Sequence, residues 1–220
     1  MTNPFWDQPE TVERFADREP DHRLVRLADN VVHPGATRVL DLGCAGGRNT
    51  VLLAERGFDV WARDASHPMV ERTRARVSHV LGHEEAERRV RQGRMDDLRD
   101  FADATFDLVV ALGLYQNAES LEEWRAALDE TARVLAPGGL LLVAHFTPEV
   151  DLTGEGTRPV PDQHGVFEGL PGGRAVLVDA RTLDAAMARR GLRPEEPSDT
   201  VRVQTGRGRR VTVNGLYRKV

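Results

Sequence analysis

Cysteine is almost absent from this 220-residue chain, with Cys44 alone present. One cysteine forms no internal disulfide, so the fold must rest on its core, and a reducing, cytoplasmic location is expected. There is no excess of positive charge. The formal net charge is -5, which argues against a binder of duplex nucleic acid or of a membrane surface, since both need a basic footprint. No apolar run approaches membrane-spanning length. The opening Met1-Thr2-Asn3-Pro4-Phe5-Trp6-Asp7 has no basic segment followed by an apolar core, so no secretory signal is expected there. His79 and His83 stand four apart, but on a charged stretch without a third ligand, so no metal site is expected. Internal repeats and low-complexity tracts are also missing. The length suits one domain with a substantial core.

The most informative stretch is Arg38-Val39-Leu40-Asp41-Leu42-Gly43-Cys44-Ala45-Gly46-Gly47-Arg48-Asn49-Thr50. A short apolar run ends in an acid, a glycine-rich turn follows, and then a helical pattern begins. A strand that stops at glycines lets a ligand lie on bare backbone. Amides at the following helix start can meet its polar groups. Asp41 narrows the choice, because a carboxylate at a strand tip repels phosphate and attracts an ammonium or sulfonium. The dinucleotide fingerprint fails as well. Counted from Gly43, its third and sixth positions are Ala45 and Arg48 rather than glycine.

Before this stretch, Val12 with Phe15, and Leu24 with Leu27, Ala28 and Val31, fit helical spacing. Pro20 divides two helices, and His33-Pro34-Gly35 punctuates the entry to the first strand. Residues 1–35 are therefore expected to form a helical cap on a domain spanning 36–220. After it, strands at 38–42, 58–63, 89–93, 106–112 and 139–146 alternate with helices at 47–56, 68–79 and 120–135. This alternation predicts an α/β fold, a parallel sheet covered on both faces. Ligands in such sheets bind outside the C-terminal strand ends. Residues 147–175 are rich in Gly, Pro and charge and are expected to be irregular. Thr182 is expected to cap a helix over 183–190. Segments 201–205 and 210–214 alternate at period two and read as a hairpin, with Arg207, Arg209 and Arg210 on a solvated turn.

These motifs, in this order, resemble the class I S-adenosylmethionine-dependent methyltransferases across residues 36–148. The glycine stretch is similar to the family's motif I. Asp64, after Phe58-Asp59-Val60-Trp61-Ala62-Arg63, looks like its ribose-binding acid. Gly93-Arg94-Met95-Asp96-Asp97-Leu98 looks like its adenine-binding turn, Phe106–Ala111 its fourth strand, and Leu135-Ala136-Pro137-Gly138-Gly139-Leu140 the start of its fifth unit. The resemblance implies a Rossmann-like seven-stranded, mostly parallel sheet with helices on both faces and an antiparallel C-terminal hairpin strand. It implies S-adenosyl-L-methionine as cofactor, held by Asp41, Gly43, Cys44, Ala45, Gly46, Arg48, Asp64, Ala65, Met95, Asp96, Ala111 and Leu112. Asp97 replaces Asp96 if the register slips by one.

His145, just after the fifth strand, is a candidate general base. Tyr115, with Gln116 and Asn117 beside it, is a candidate for orienting the acceptor. Phe5, Trp6 and Phe15, with residues 147–175, are expected to close a lid over the acceptor. The chain lacks the Asn/Asp-Pro-Pro-aromatic tetrapeptide of amino-methylating DNA enzymes and has no Pro-Cys nucleophile. One cysteine also makes an arsenic-binding cluster impossible. The chain is most similar to small-molecule methyltransferases, and Gly47-Arg48-Asn49-Thr50 resembles their tellurite and thiopurine branch. The expected reaction is in-line methyl transfer to a small acceptor, by a monomer or homodimer with no nucleic-acid or membrane partner. A donor-binding regulatory module without turnover, and a protein or tRNA methyltransferase, stay open.

Overall fold

A computed structural model describes residues 4–220; Met1–Asn3, the start of the expected cap, lie outside the described residues. Three helices come first: α1 (Pro4–Asp7), α2 (Pro9–Ala16) and α3 (His22–Asp29). Pro9 occupies the first turn of α2, where a missing N–H costs nothing. Asp21 caps α3 by accepting from the Arg23 amide. The alternating series then runs β1 (Arg38–Leu42), α4 (Arg48–Glu55), β2 (Asp59–Asp64), α5 (His67–Leu81), α6 (His83–Arg89), β3 (Val90–Gln92), β4 (Phe106–Leu112), α7 (Leu121–Val134) and β5 (Leu135–Phe146). The chain ends with β6 (Arg158–Pro159), β7 (Val166–Leu170), β8 (Gly173–Val176), α8 (Ala180–Ala188), β9 (Leu192–Pro194), β10 (Asp199–Thr205) and β11 (Gly208–Lys219).

The main sheet has the order β3-β2-β1-β4-β5-β11-β10. Its first five strands are parallel, and β11 lies antiparallel to β5. The edge beyond β11 is shared: β10 pairs with its first half and β9 with its end. The sheet therefore has the expected seven positions, with the last one split between two strands.

Period-two alternation sends successive side chains to opposite faces. Leu40, Val109 and Val143 pack with Trp124 and Leu128 of α7 and Leu183 and Met187 of α8. Val39, Val110 and Leu142 pack with Leu24 of α3 and Leu53 of α4. Each such side chain contributes about 1.5–3 kcal/mol on burial. This is the core that holds the strand ends in place.

Three expectations need correction. The fifth strand starts at Leu135, not at 139. Leu135 pairs with Phe106, and the register shifts before Leu140 pairs with Leu108, so the Pro137-Gly138 turn bulges within the strand. Residues 147–175 are not wholly irregular, because β6, β7 and β8 form a small antiparallel sheet. Its alternation is hidden in sequence by Gly169, whose φ is +106° and where a Cβ would lie 2.6 Å from the Gly156 carbonyl oxygen. The helix cap is Asp179 rather than Thr182, and the Thr182 amide donates to Asp179 Oδ1 at 2.8 Å.

Candidate active site

The turn after β1 folds back over the end of β2. The amides of Gly43 and Cys44 both donate to the Arg63 carbonyl, at 2.8 and 3.0 Å. Gly43 takes φ +74°, and a Cβ there would meet Leu114 at 2.7 Å. The same turn fixes Asp64. Its Oδ2 accepts from the Ala45 amide at 2.8 Å and its Oδ1 from the Ser66 amide at 2.9 Å. Burial raises the Asp64 pKa, against the pull of the Ser66 and Ala45 amides.

α1 and α2 sit on this turn. Arg76 of α5 donates from one Nη1 to the Ala16 carbonyl at 2.9 Å and to the Gly46 carbonyl at 2.6 Å. Ser66 Oγ donates to the Trp6 carbonyl, and Arg72 pairs with Glu13 at 2.9 Å. On the far side, a Cβ on Gly172 would lie 3.8 Å from the Trp6 ring, so α1 also meets the turn between β7 and β8.

The cleft between these walls holds about 2020 Å³. Pockets for one drug-sized ligand usually hold about 300–1,000 Å³, so this one has room for two. Its floor includes Gly43, Cys44, Ala45, Arg48, Asp64, Ala65, Met95 and Leu112. Eight of the twelve expected donor residues are thus brought together. Phe5, Trp6 and Phe15 line another wall, and Leu170, Gly172 and Arg174 line a third.

Four expected donor residues lie off the wall. Asp41 is buried behind the turn, where Thr50 Oγ1 donates to it at 2.6 Å, and burial lifts its pKa to about 6. Gly46 faces α2, where a Cβ would come within 2.6 Å of Ala16. Asp96 is held by both nitrogens of the Arg94 fork at 2.9 Å, and Asp97 pairs with Arg99. Ala111 is fully buried on the α7 face. Cys44 is buried among Ala62 and Val70, and desolvation raises its thiol pKa, as suits a packed residue rather than a nucleophile.

Both catalytic candidates are also displaced. Strand alternation turns Ala144 and Phe146 to the cleft and His145 to the opposite face. There its Nε2 accepts from Trp124 Nε1–H at 3.0 Å, and its Nδ1–H donates to the Phe146 carbonyl at 2.8 Å. Burial lowers its pKa to about 4. Tyr115 is fully buried, and its hydroxyl bonds Thr131 Oγ1 at 2.8 Å. Burial pushes its pKa far upward. Neither side chain can take a proton from an acceptor in the cleft.

His145 should instead matter for acid stability. Its folded pKa lies below the unfolded one, so its contribution is complete above about pH 6.5 and is lost as pH falls toward 4. His145→Gln should be less stable than the parent at neutral pH, and the gap should narrow by about 3 kcal/mol across that window. Denaturant melts of both proteins from pH 7 to pH 4 measure it. A gap that stays constant would show that His145 is not held neutral.

Sequence reasoning missed Gln92, Arg18, Arg174, Arg207 and Arg210 as cleft residues. They come from five separate places in the chain, so no local spacing marks them. Gln116 was named only beside Tyr115. It lines the cleft, is buried, and leaves its Oε1 without a hydrogen-bond partner. A buried amide oxygen left open asks for a ligand donor.

Fold and site together define a doubly wound α/β domain with a cleft at the strand ends and a carboxylate, Asp64, at the tip of the second strand. A family model described as a methyltransferase domain matches residues 39–139. A demethylmenaquinone methyltransferase from Clavibacter sepedonicus is 37% identical over 123 residues, 54% of this chain and 45% of that protein. The chain spans about half the length of the curated relatives it matches. A SAM-dependent methyltransferase from Methanosarcina mazei superposes with TM-score 0.70 at 16% identity, covering 91% of this chain and 99% of that one. A 1,6-didemethyltoxoflavin-N1-methyltransferase from Burkholderia thailandensis, bound to its acceptor and S-adenosylhomocysteine, superposes with TM-score 0.62 at 19% identity, covering 91% and 80%. Residues 39–139 therefore match a methyltransferase domain, and the chain as a whole has the fold of S-adenosylmethionine-dependent methyltransferases.

Among the described residues, no helix is long and apolar enough to cross a membrane, and no group of three His, Cys, Asp or Glu side chains is placed to hold a metal.

Proposed function

We propose that the protein transfers the methyl group of S-adenosylmethionine to a small-molecule acceptor in the cytoplasm. The observation that supports this most is one large cleft whose lining includes Asp64 and Leu112 together with the aromatic residues Phe5, Trp6 and Phe15. The residues present fit the donor. Asp64 can accept from vicinal hydroxyls at the cleft wall, and the Ala45 and Ser66 amides hold it still. Met69, Met95 and Leu112 offer soft apolar surface to a base. Arg48 stands at the start of α4 for a carboxylate.

The donor supplies a methyl on a sulfonium, already activated for displacement. The protein's part is to hold an acceptor atom in line and keep water out. Bringing two reactants to near-attack distance supplies about 7–11 kcal/mol of the barrier reduction in favourable cases. Gln116 can accept from an acceptor N–H or O–H through its free Oε1. The aromatic wall excludes water from the path. With His145 and Tyr115 sealed in the core, the chain offers neither as a base. An acceptor whose attacking atom carries a free lone pair suits this site best.

Calorimetric titration with S-adenosylmethionine and S-adenosylhomocysteine should show micromolar binding of both. Screening small acceptors with the saturated protein should then yield S-adenosylhomocysteine. Absence of any heat or thermal shift with either ligand in excess refutes the reading. Binding with no turnover on any small acceptor favours the regulatory alternative.

A further inference from the structure

The cleft carries a cluster of arginines that the donor does not explain. Arg14 and Arg18 reach it from α2 and the residues after it, Arg174 from β8, and Arg207 and Arg210 from the β10–β11 hairpin. The hairpin tip is therefore not simply a solvated turn. Arg209 alone bends away, to the Glu149 carbonyl.

Arginines elsewhere on this protein are mostly paired, as in Arg72 with Glu13, Arg94 with Glu123 and Arg202 with Glu149. Among the described residues, none of the five cleft arginines has a carboxylate within ion-pair distance. Arg14 and Arg18 instead lie on aromatic rings. Arg18 stands 4.1 Å from the Phe15 centroid, and Arg14 stands 5.4 Å from Phe15 and 5.8 Å from Phe5. Four of them, Arg14, Arg18, Arg207 and Arg210, are close enough to oppose one another's charge. Desolvation and then Arg48, Arg14, Arg210 and Arg207 hold Arg18 down at about 10, and desolvation and then Arg207 lower Arg14. Gathering like charges costs free energy, and an anion in their midst recovers it.

The donor does not supply that anion. It brings a sulfonium and an ammonium against a single carboxylate, and Arg48 stands ready for the carboxylate. We propose that the methyl acceptor is a small molecule bearing a carboxylate or phosphate, gripped by Arg18, Arg207 and Arg210 while its apolar body lies against Phe5, Trp6 and Phe15. This rests on the methyl-transfer reading above. Guanidinium forks bind planar anions through two hydrogen bonds at once, and the rings complete the contact with the ligand's apolar part. A macromolecular anion fits less well, because these groups line the same cleft as Asp64, in a protein of net charge -5.

The test uses three probes of one shape on the protein saturated with S-adenosylhomocysteine: 1-naphthoate, 1-naphthyl phosphate and the neutral 1-naphthamide. At least one anion should bind about tenfold or more tightly than the amide. Which anion wins distinguishes carboxylate from phosphate. The double variant Arg207→Gln/Arg210→Gln, whose changes lie on an exposed hairpin, and the single variant Arg18→Gln should each lose most of this preference while keeping their affinity for S-adenosylhomocysteine. Equal binding of all three probes, no binding of either anion at millimolar concentration, or a preference that survives in both variants overturns the proposal. Should S-adenosylhomocysteine itself not bind, the methyl-transfer reading falls, and the same titration on the free protein still decides whether the arginines hold an anion.

Discussion

Asp64→Ala is expected to lose nearly all affinity for S-adenosylmethionine and S-adenosylhomocysteine, whereas Cys44→Ala keeps it. Two ribose hydroxyls on one carboxylate make charge-assisted bonds worth about 1.5–3 kcal/mol each. Together they amount to about a hundredfold in affinity or more. The substitution also removes the acceptor for the Ala45 and Ser66 amides, so the glycine turn loses its clamp. Cys44→Ala removes only a packed sulfur whose thiol makes long contacts, 3.7 Å to Thr73 Oγ1 and 3.8 Å to the Ala45 carbonyl. Titration of both variants, with circular dichroism to show that they are folded, makes the comparison. Equal affinities would remove Asp64 from the ribose site.

Gly46→Ala is the second large effect expected. The backbone at Gly46 does not require positive φ, so the cost is steric alone. The new Cβ would stand 2.6 Å from the Cα of Ala16. Backbone cannot turn aside as a side chain can, and Arg76 ties Ala16 and Gly46 to one another. Relief requires α2 to lift from the turn. The loss should be about 1–3 kcal/mol, in line with overpacked cores, or about 2–4 °C of melting temperature per kcal/mol. Early proteolytic cuts should appear within residues 4–20. Gly206→Ala, at a hairpin position with nothing within 4 Å, should melt with the parent. If both variants melt alike, α2 is not seated on the turn as described.

Much of this architecture is legible in the sequence because its signals are local. An apolar run, an acid and a glycine turn predict β1 and its loop, and Asp64 follows at the end of the next run. Pro20 separates α2 from α3, and Gly57 follows the end of α4, as the sequence suggests. Two of the misplacements share one physical cause. His145 and Ala111 sit in strands where each step turns the side chain to the other face, and nothing local says which face looks onto the cleft. Leu112 and Ala144, their neighbours, are the residues on the wall. Asp96 lies off the cleft wall for a different reason, since its neighbour Arg94 holds it. The arginine cluster was invisible because α2, β8 and the last hairpin meet only when the chain is folded.

That dispersal has a consequence for how such a protein diversifies. The donor floor is supplied by the first four strands and their loops, whose registers are fixed by the paired cores on either face of the sheet. The opposite wall is supplied by a short amino-terminal arm, a small appended sheet and the tip of a hairpin. Substitutions at Arg174, Arg207 or Gly172 touch no strand of the donor half. Ligand choice can therefore drift through changes at the periphery while the grip on the common reagent is inherited unaltered.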